Sequence, residues 1–140
     1  MNTVNVRWNE GMEFTSEVNG HEIIIDAKEE FGGKNAGPRP KPLILTALGG
    51  CTGMDVVSIL KKMRVQFDTF NVKVEGELTD EHPKHYKEIR VTYEFTGTDL
   101  NIDKIKNAVS LSEEKYCGVS YTLKQALNLT TAIVVNGKNV

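Results

Sequence analysis

The chain predicts a single α+β domain over residues 1–140, and three observations carry that expectation. Its length of 140 residues is close to one domain. Apolar and polar residues alternate with period two from Phe70 to Glu75 and again from Ile89 to Phe95. Between the early strands and these lies a segment, about Pro42 to Met63, whose apolar residues fall at helical rather than strand spacing.

Taken in order, Thr3 to Trp8 places Val4, Val6 and Trp8 on one face of a first strand. A turn at Asn9-Glu10-Gly11 leads to a second strand, Met12 to Val18. Asn19-Gly20 is a two-residue hairpin signal, and His21 to Asp26 forms the third strand. Glu29 to Pro42 holds three glycines and three prolines and reads as loop. The helix that follows is apolar on almost every side through its first half, as expected of a core element buried on several sides. Lys61, Lys62 and Arg64 suit its C-terminal end. After the two long strands come a helix from Asn101 to about Tyr116, a break at Gly118, and a shorter helix from about Ser120 to Leu127. A last strand, Thr130 to Val135, ends at Asn136-Gly137. The order βββ-α-ββ-αα-β describes antiparallel sheet packed on a long central helix. So apolar a helix needs more cover than one chain of this length supplies, and a homodimer is expected on that ground.

Composition narrows the function classes. Seventeen Lys and Arg against nineteen Asp and Glu leave a formal charge of -2, which offers nothing to nucleic acid. The amino-terminal MNTVNVRWNE lacks the apolar core of a signal peptide. The run Leu43 to Met54, about 12 residues closed by Asp55, falls short of the about 20 needed to cross a bilayer. A cytoplasmic protein with no membrane partner is expected.

Two stretches could carry chemistry. In Leu48-Gly49-Gly50-Cys51-Thr52-Gly53, three glycines oppose helix formation by about 1 kcal/mol each, so close packing or access to the Cys51 sulfur must offset them. Cys117 lies in Glu113-Glu114-Lys115-Tyr116-Cys117-Gly118, where one helix stops and another begins. The two cysteines, with no CxxC or zinc-ligand spacing, are either inert core thiols or a redox pair. His82 and His85 have no third ligand nearby and read as solvated turn residues; no metal or cofactor is expected. Asp55, one helical turn after Cys51, would raise the thiol's pKa unless paired. Trp8 and Phe14 read as core or dimer contacts.

Gly37-Pro38-Arg39-Pro40, LILTALGGC ending at Cys51, Asp55 to Leu60, Leu111-Ser112, Glu114-Lys115-Tyr116-Cys117 and Asn128-Leu129-Thr130 together resemble the OsmC/Ohr superfamily, and more closely its YhfA-like branch. The resemblance implies an intertwined homodimer with sites at the subunit interface. It also implies a thiol-dependent peroxidase reducing organic hydroperoxides, with Cys51 as peroxidatic and Cys117 as resolving cysteine. The implied reductant is a dithiol, in parts of the family a lipoyl protein. The family's hydroperoxide reductases carry a glutamate ahead of the reactive cysteine, where this chain has Lys41 and Pro42, and an upstream arginine for which no matching motif is present. Arg39 and Lys41 are the candidates for a thiolate-stabilising charge, although about 10 helical residues put about 15 Å between them and Cys51. The departures favour, as an alternative, a redox-sensing or small-molecule-binding protein that kept the scaffold and both thiols.

Overall fold

The computed structural model describes all residues, Met1–Val140. Two compact units make up the chain, Met1–Ile44 and Leu45–Val140.

The first unit is a three-stranded antiparallel meander of β1 (Asn5–Glu10), β2 (Glu13–Val18) and β3 (His21–Ile25). Asn19 (φ 52°) and Gly20 (φ 79°) both sit in the left-handed region, as a type I′ hairpin turn requires, and set the Val18–His21 pairing. The loop after β3 closes on Asp26, which is only 3% exposed. Its Oδ1 accepts the Ala27 amide at 2.7 Å, and Oδ2 accepts those of Lys34 at 2.9 Å and Ala36 at 3.0 Å. Backbone passes so close to backbone here that a Cβ on Gly37 would lie 2.1 Å from the Ile24 carbonyl oxygen. Trp8, expected in the core or at a dimer contact, is 59% exposed in this chain, with its indole N–H on the Gly11 carbonyl at 3.0 Å.

The second unit holds the main core. Helix α1 (Pro40–Lys62) begins two residues before the expected Pro42, since proline is well tolerated in a first helical turn. Strands β4 (Thr69–Leu78) and β5 (Tyr86–Thr96) pair antiparallel along their whole length. Then come α2 (Ile102–Leu111), capped by the Asn101 side chain on the Lys104 amide at 3.0 Å, and α3 (Gly118–Lys124). Strand β6 (Asn128–Val135) follows, and Asn136-Gly137 turns into a two-residue strand, β7 (Lys138–Asn139), that the sequence reading missed. The sheet order is β4-β5-β6-β7. Contrary to the all-antiparallel expectation, β6 runs parallel to β5. The connection through α2 and α3 is a crossover long enough for parallel pairing. Ile89, Val91, Tyr93 and Phe95 of β5 form the buried face, meeting Leu48, Val56 and Leu60 of α1 and Ile105, Ala108 and Val109 of α2.

Helix α1 is not buried on several sides. The stripe Leu48, Thr52, Val56 and Leu60 is buried and Leu45, Cys51 and Ile59 are partly buried beside it, while Met54 is 77% exposed and Ile44 and Val57 are exposed too. With 23 residues it is long and apolar enough, by length and composition, to cross a bilayer, whereas the sequence reading closed its apolar run at Asp55. A helix with one stripe buried on a sheet meets the same test. Two of its glycines have a packing reason. A Cβ on Gly49 would come within 3.1 Å of Val74 Cγ2, and one on Gly53 within 3.3 Å of Val72 Cγ2. The i, i+4 pair lets α1 lie directly on β4, while Gly50 faces open space.

Candidate functional site

The sequence suggests one continuous helix from Asn101 to Tyr116, but the α-helix stops at Leu111. Ser112–Tyr116 forms a π-helical turn, closed by the Cys117 amide donating to the Ser112 carbonyl at 2.8 Å. This widened turn sets Cys117 at the N-cap of α3, where its Sγ accepts the Ser120 amide at 3.3 Å. Residues 51 and 117 thereby meet. One Cys51 Sγ, one Cys117 Sγ and a carboxylate oxygen of Asp55 all lie within 4.8 Å of one another. Both cysteines are free thiols; Cys51 is half-buried and Cys117 is 3% exposed.

Beneath the thiols runs a chain of buried hydroxyls. Tyr93 Oη and Thr52 Oγ1 share a hydrogen bond at 2.5 Å, and Thr52 Oγ1 and Ser112 Oγ another at 2.8 Å. Ser112 Oγ also stands 3.1 Å from Asp55 Oδ2, donating to it. Thr52, Tyr93 and Ser112 are each no more than 1% exposed. The sequence reading missed this chain, since its partners are 41 and 60 positions apart. The available signal was Thr52 itself, a hydroxyl on the otherwise apolar stripe Leu48, Val56, Leu60. Ser120 Oγ, on the residue whose amide bonds Cys117 Sγ, is buried with no partner.

The electrostatics are those of an anionic, partly dry site. Burial pushes the Cys117 thiol up to about 11; its hydrogen bond with the Cys51 thiol and the negative charge of Asp55 act in the same direction, against the Ser120 amide. Burial likewise raises the Tyr93 phenol, so it stays protonated as a hydrogen-bonding group. Asp55 makes no ion pair; its partner is the Ser112 hydroxyl. Arg39 is engaged in its own loop, donating to the carbonyls of Gly37 at 2.7 Å and Asp26 at 3.2 Å and to Asn35 Oδ1. Lys41 is exposed in the first turn of α1. His82 and His85 are exposed, with His85 Nδ1 2.7 Å from the Pro83 carbonyl oxygen. A cavity of about 360 Å³, lined by Asp55, Ser58, Ile59, Lys62, Leu111 and Tyr116 among others, opens beside Asp55.

Comparison with known proteins agrees with this architecture. The family described as OsmC-like protein matches residues 32–132, which include both cysteines and Asp55. Protein YhfA of Escherichia coli is 40% identical over 126 residues, covering 89% of this chain and 91% of its own. The crystal structure of a hypothetical protein from Aquifex aeolicus superposes with a TM-score of 0.85 at 31% identity, over 97% of this chain and 96% of that one. An organic hydroperoxide resistance protein OsmC from Legionella pneumophila shares the fold at a TM-score of 0.67 and 16% identity, over 96% and 98% of the two chains. With the match spanning most of the chain and the strands and helices in the same arrangement, the chain belongs to the OsmC-like family.

Proposed function

We propose that the protein is a thiol-dependent peroxidase that reduces organic hydroperoxides. The observation that carries this reading is the juxtaposition of a half-buried Cys51 and a buried Cys117, both free, from distant parts of the chain. The Cys51 thiolate attacks the distal oxygen of ROOH, the O–O bond breaks, and the alkoxide leaves as ROH after taking up a proton. Cys51 is then a sulfenic acid. The Cys117 sulfur attacks the Cys51 sulfur and displaces hydroxide, which leaves as water, so two electrons have passed from the thiol pair to the peroxide. A dithiol reductant, a lipoyl group being one such chemistry, restores both thiols by exchange and is itself oxidised to a disulfide. An Asp55 carboxylate oxygen lies within 4.8 Å of both sulfurs and suits acceptance of the Cys117 proton during resolution. This reading uses neither Arg39 nor Lys41 as the thiolate-stabilising cation, because Arg39 already serves its loop.

The exposed apolar residues Ile44, Met54 and Val57 of α1, Val6 and Trp8 of β1, and Val4 just before that strand support the further proposal that two copies pair. The two free thiols suit a reducing cytoplasm. A second reading, a redox-sensing or small-molecule-binding protein without efficient turnover, is favoured by the anion beside the pair, since Asp55 opposes thiolate formation at Cys117. Steady-state turnover with cumene hydroperoxide and a dithiol separates the two. Sustained consumption that is lost in Cys51→Ser supports the peroxidase. A single oxidation with no sustained turnover supports the sensor.

A further inference from the structure

The 66-residue spacing of the cysteines contains no metal motif, yet the fold gathers a donor set at one point. We propose that the reduced chain binds one thiophilic divalent cation, of the zinc and cadmium type, through Cys51 Sγ, Cys117 Sγ and an Asp55 carboxylate oxygen. Zinc–sulfur bonds of about 2.3 Å and zinc–oxygen bonds of about 2.0 Å set ligand atoms about 3.5–3.8 Å apart in a tetrahedral site. The three donor atoms already lie within 4.8 Å of one another, so closing on a cation takes side-chain movements of about 1 Å or less.

The supports are those of a held site rather than a chance cluster. Cys51 and Asp55 stand one turn apart on α1, and Cys117 is fixed from the other side by the π turn and the Ser120 amide. Ser112 Oγ donates to Asp55 Oδ2 and leaves the carboxylate further lone pairs for a cation, and Thr52, itself bonded to Tyr93, braces that serine from the core. Two thiolates select a soft or borderline cation over magnesium or calcium. The cavity beside Asp55 opens to that ligand, and a water would complete a four-coordinate site. The proposal does not depend on peroxidase activity. Oxidation to a disulfide would remove both sulfur donors, so the cation and the oxidised pair exclude each other.

The test is to strip the full chain with a chelator, reduce it, remove the reductant and titrate it with cadmium chloride, then zinc chloride. The readouts are calorimetry and the cadmium–thiolate charge-transfer absorption. One cadmium per chain is expected, abolished in Cys51→Ser, in Cys117→Ser and in the disulfide form, and competed by zinc. Asp55→Asn should weaken binding by at least about tenfold, while Asp103→Asn, an exposed acid on α2, should leave it unchanged. Far-UV circular dichroism establishes that each variant is folded, and Ser112→Ala supplies a second route to the carboxylate by freeing its orientation. Absence of stoichiometric binding overturns the proposal. So does equal affinity in the wild type, Asp55→Asn and Ser112→Ala, which would leave only a bare dithiol.

Discussion

Replacing Thr52 by Val tests the buried hydroxyl chain that supports the thiols. The change keeps the shape of a side chain that is 1% exposed and deletes the oxygen at the chain's centre. Ser112 keeps Asp55 as a partner at 3.1 Å, but the Tyr93 hydroxyl, also 1% exposed, loses its hydrogen bond at 2.5 Å. Leaving one buried hydroxyl unsatisfied costs about 1–3 kcal/mol. Tyr93→Phe removes the hydroxyl at the other end and leaves Thr52 with Ser112, so it should cost about 0.5–1.5 kcal/mol. In the double variant neither of these two groups is orphaned, and the cost should fall short of the sum by about 1 kcal/mol or more. Urea unfolding of the reduced protein at one fixed concentration measures all three. Additivity to within about 0.5 kcal/mol would refute the reasoning, because it would mean that the two oxygens do not depend on each other.

Gly50→Ala, with open space around the position, should stabilise the chain by about 0.5–1 kcal/mol through helix propensity alone; a loss would show that another surface, such as a second copy, sits on it. Gly37→Ala should destabilise by about 1–3 kcal/mol, since its Cβ would collide with the Ile24 carbonyl, and a change under about 0.5 kcal/mol would count against the loop geometry. The amide hydrogen bonds from Ala36, Lys34 and Ala27, with Arg39 nearby, hold the Asp26 carboxyl below its ordinary value. A carboxylate depressed in the folded state contributes stability above its unfolded pKa of about 3.9 and loses it as pH falls through the folded value. Asp26→Asn should therefore melt lower than wild type at neutral pH, with the gap narrowing as pH drops below about 4; a gap independent of pH would contradict this.

Much of the fold could be read from local pattern. The period-two strands β4 and β5, the Asn19-Gly20 turn and the apolar α1 follow from side-chain direction and turn chemistry, which act over a few residues. What could not be read depends on distant parts of the chain. Local sequence marks β5 and β6 as strands but says nothing of their relative direction, which the two intervening helices decide. After Leu111 the run Ser112-Glu113-Glu114-Lys115 holds no helix breaker, so nothing local marks the change to a π turn, a difference of one hydrogen-bond partner. Cys51 and Cys117 stood out by their glycine-rich surroundings and by resemblance, and the π turn is what brings their sulfurs near. Of the two causes the sequence allows for these glycines, close packing is the one Gly49 and Gly53 serve, against β4. Asp55 was visible as an anion one turn from Cys51, but its bond to Ser112 joins residues 57 positions apart.

The most direct measurement is made on the reduced protein mixed with one equivalent of cumene hydroperoxide, followed by a count of free thiols and an intact mass. The account predicts that both thiols are lost together and the mass falls by about 2 Da, the signature of a Cys51–Cys117 disulfide, with Cys117→Ser stopping at an oxidised Cys51. Survival of both thiols would contradict it and leave the pair without peroxide chemistry.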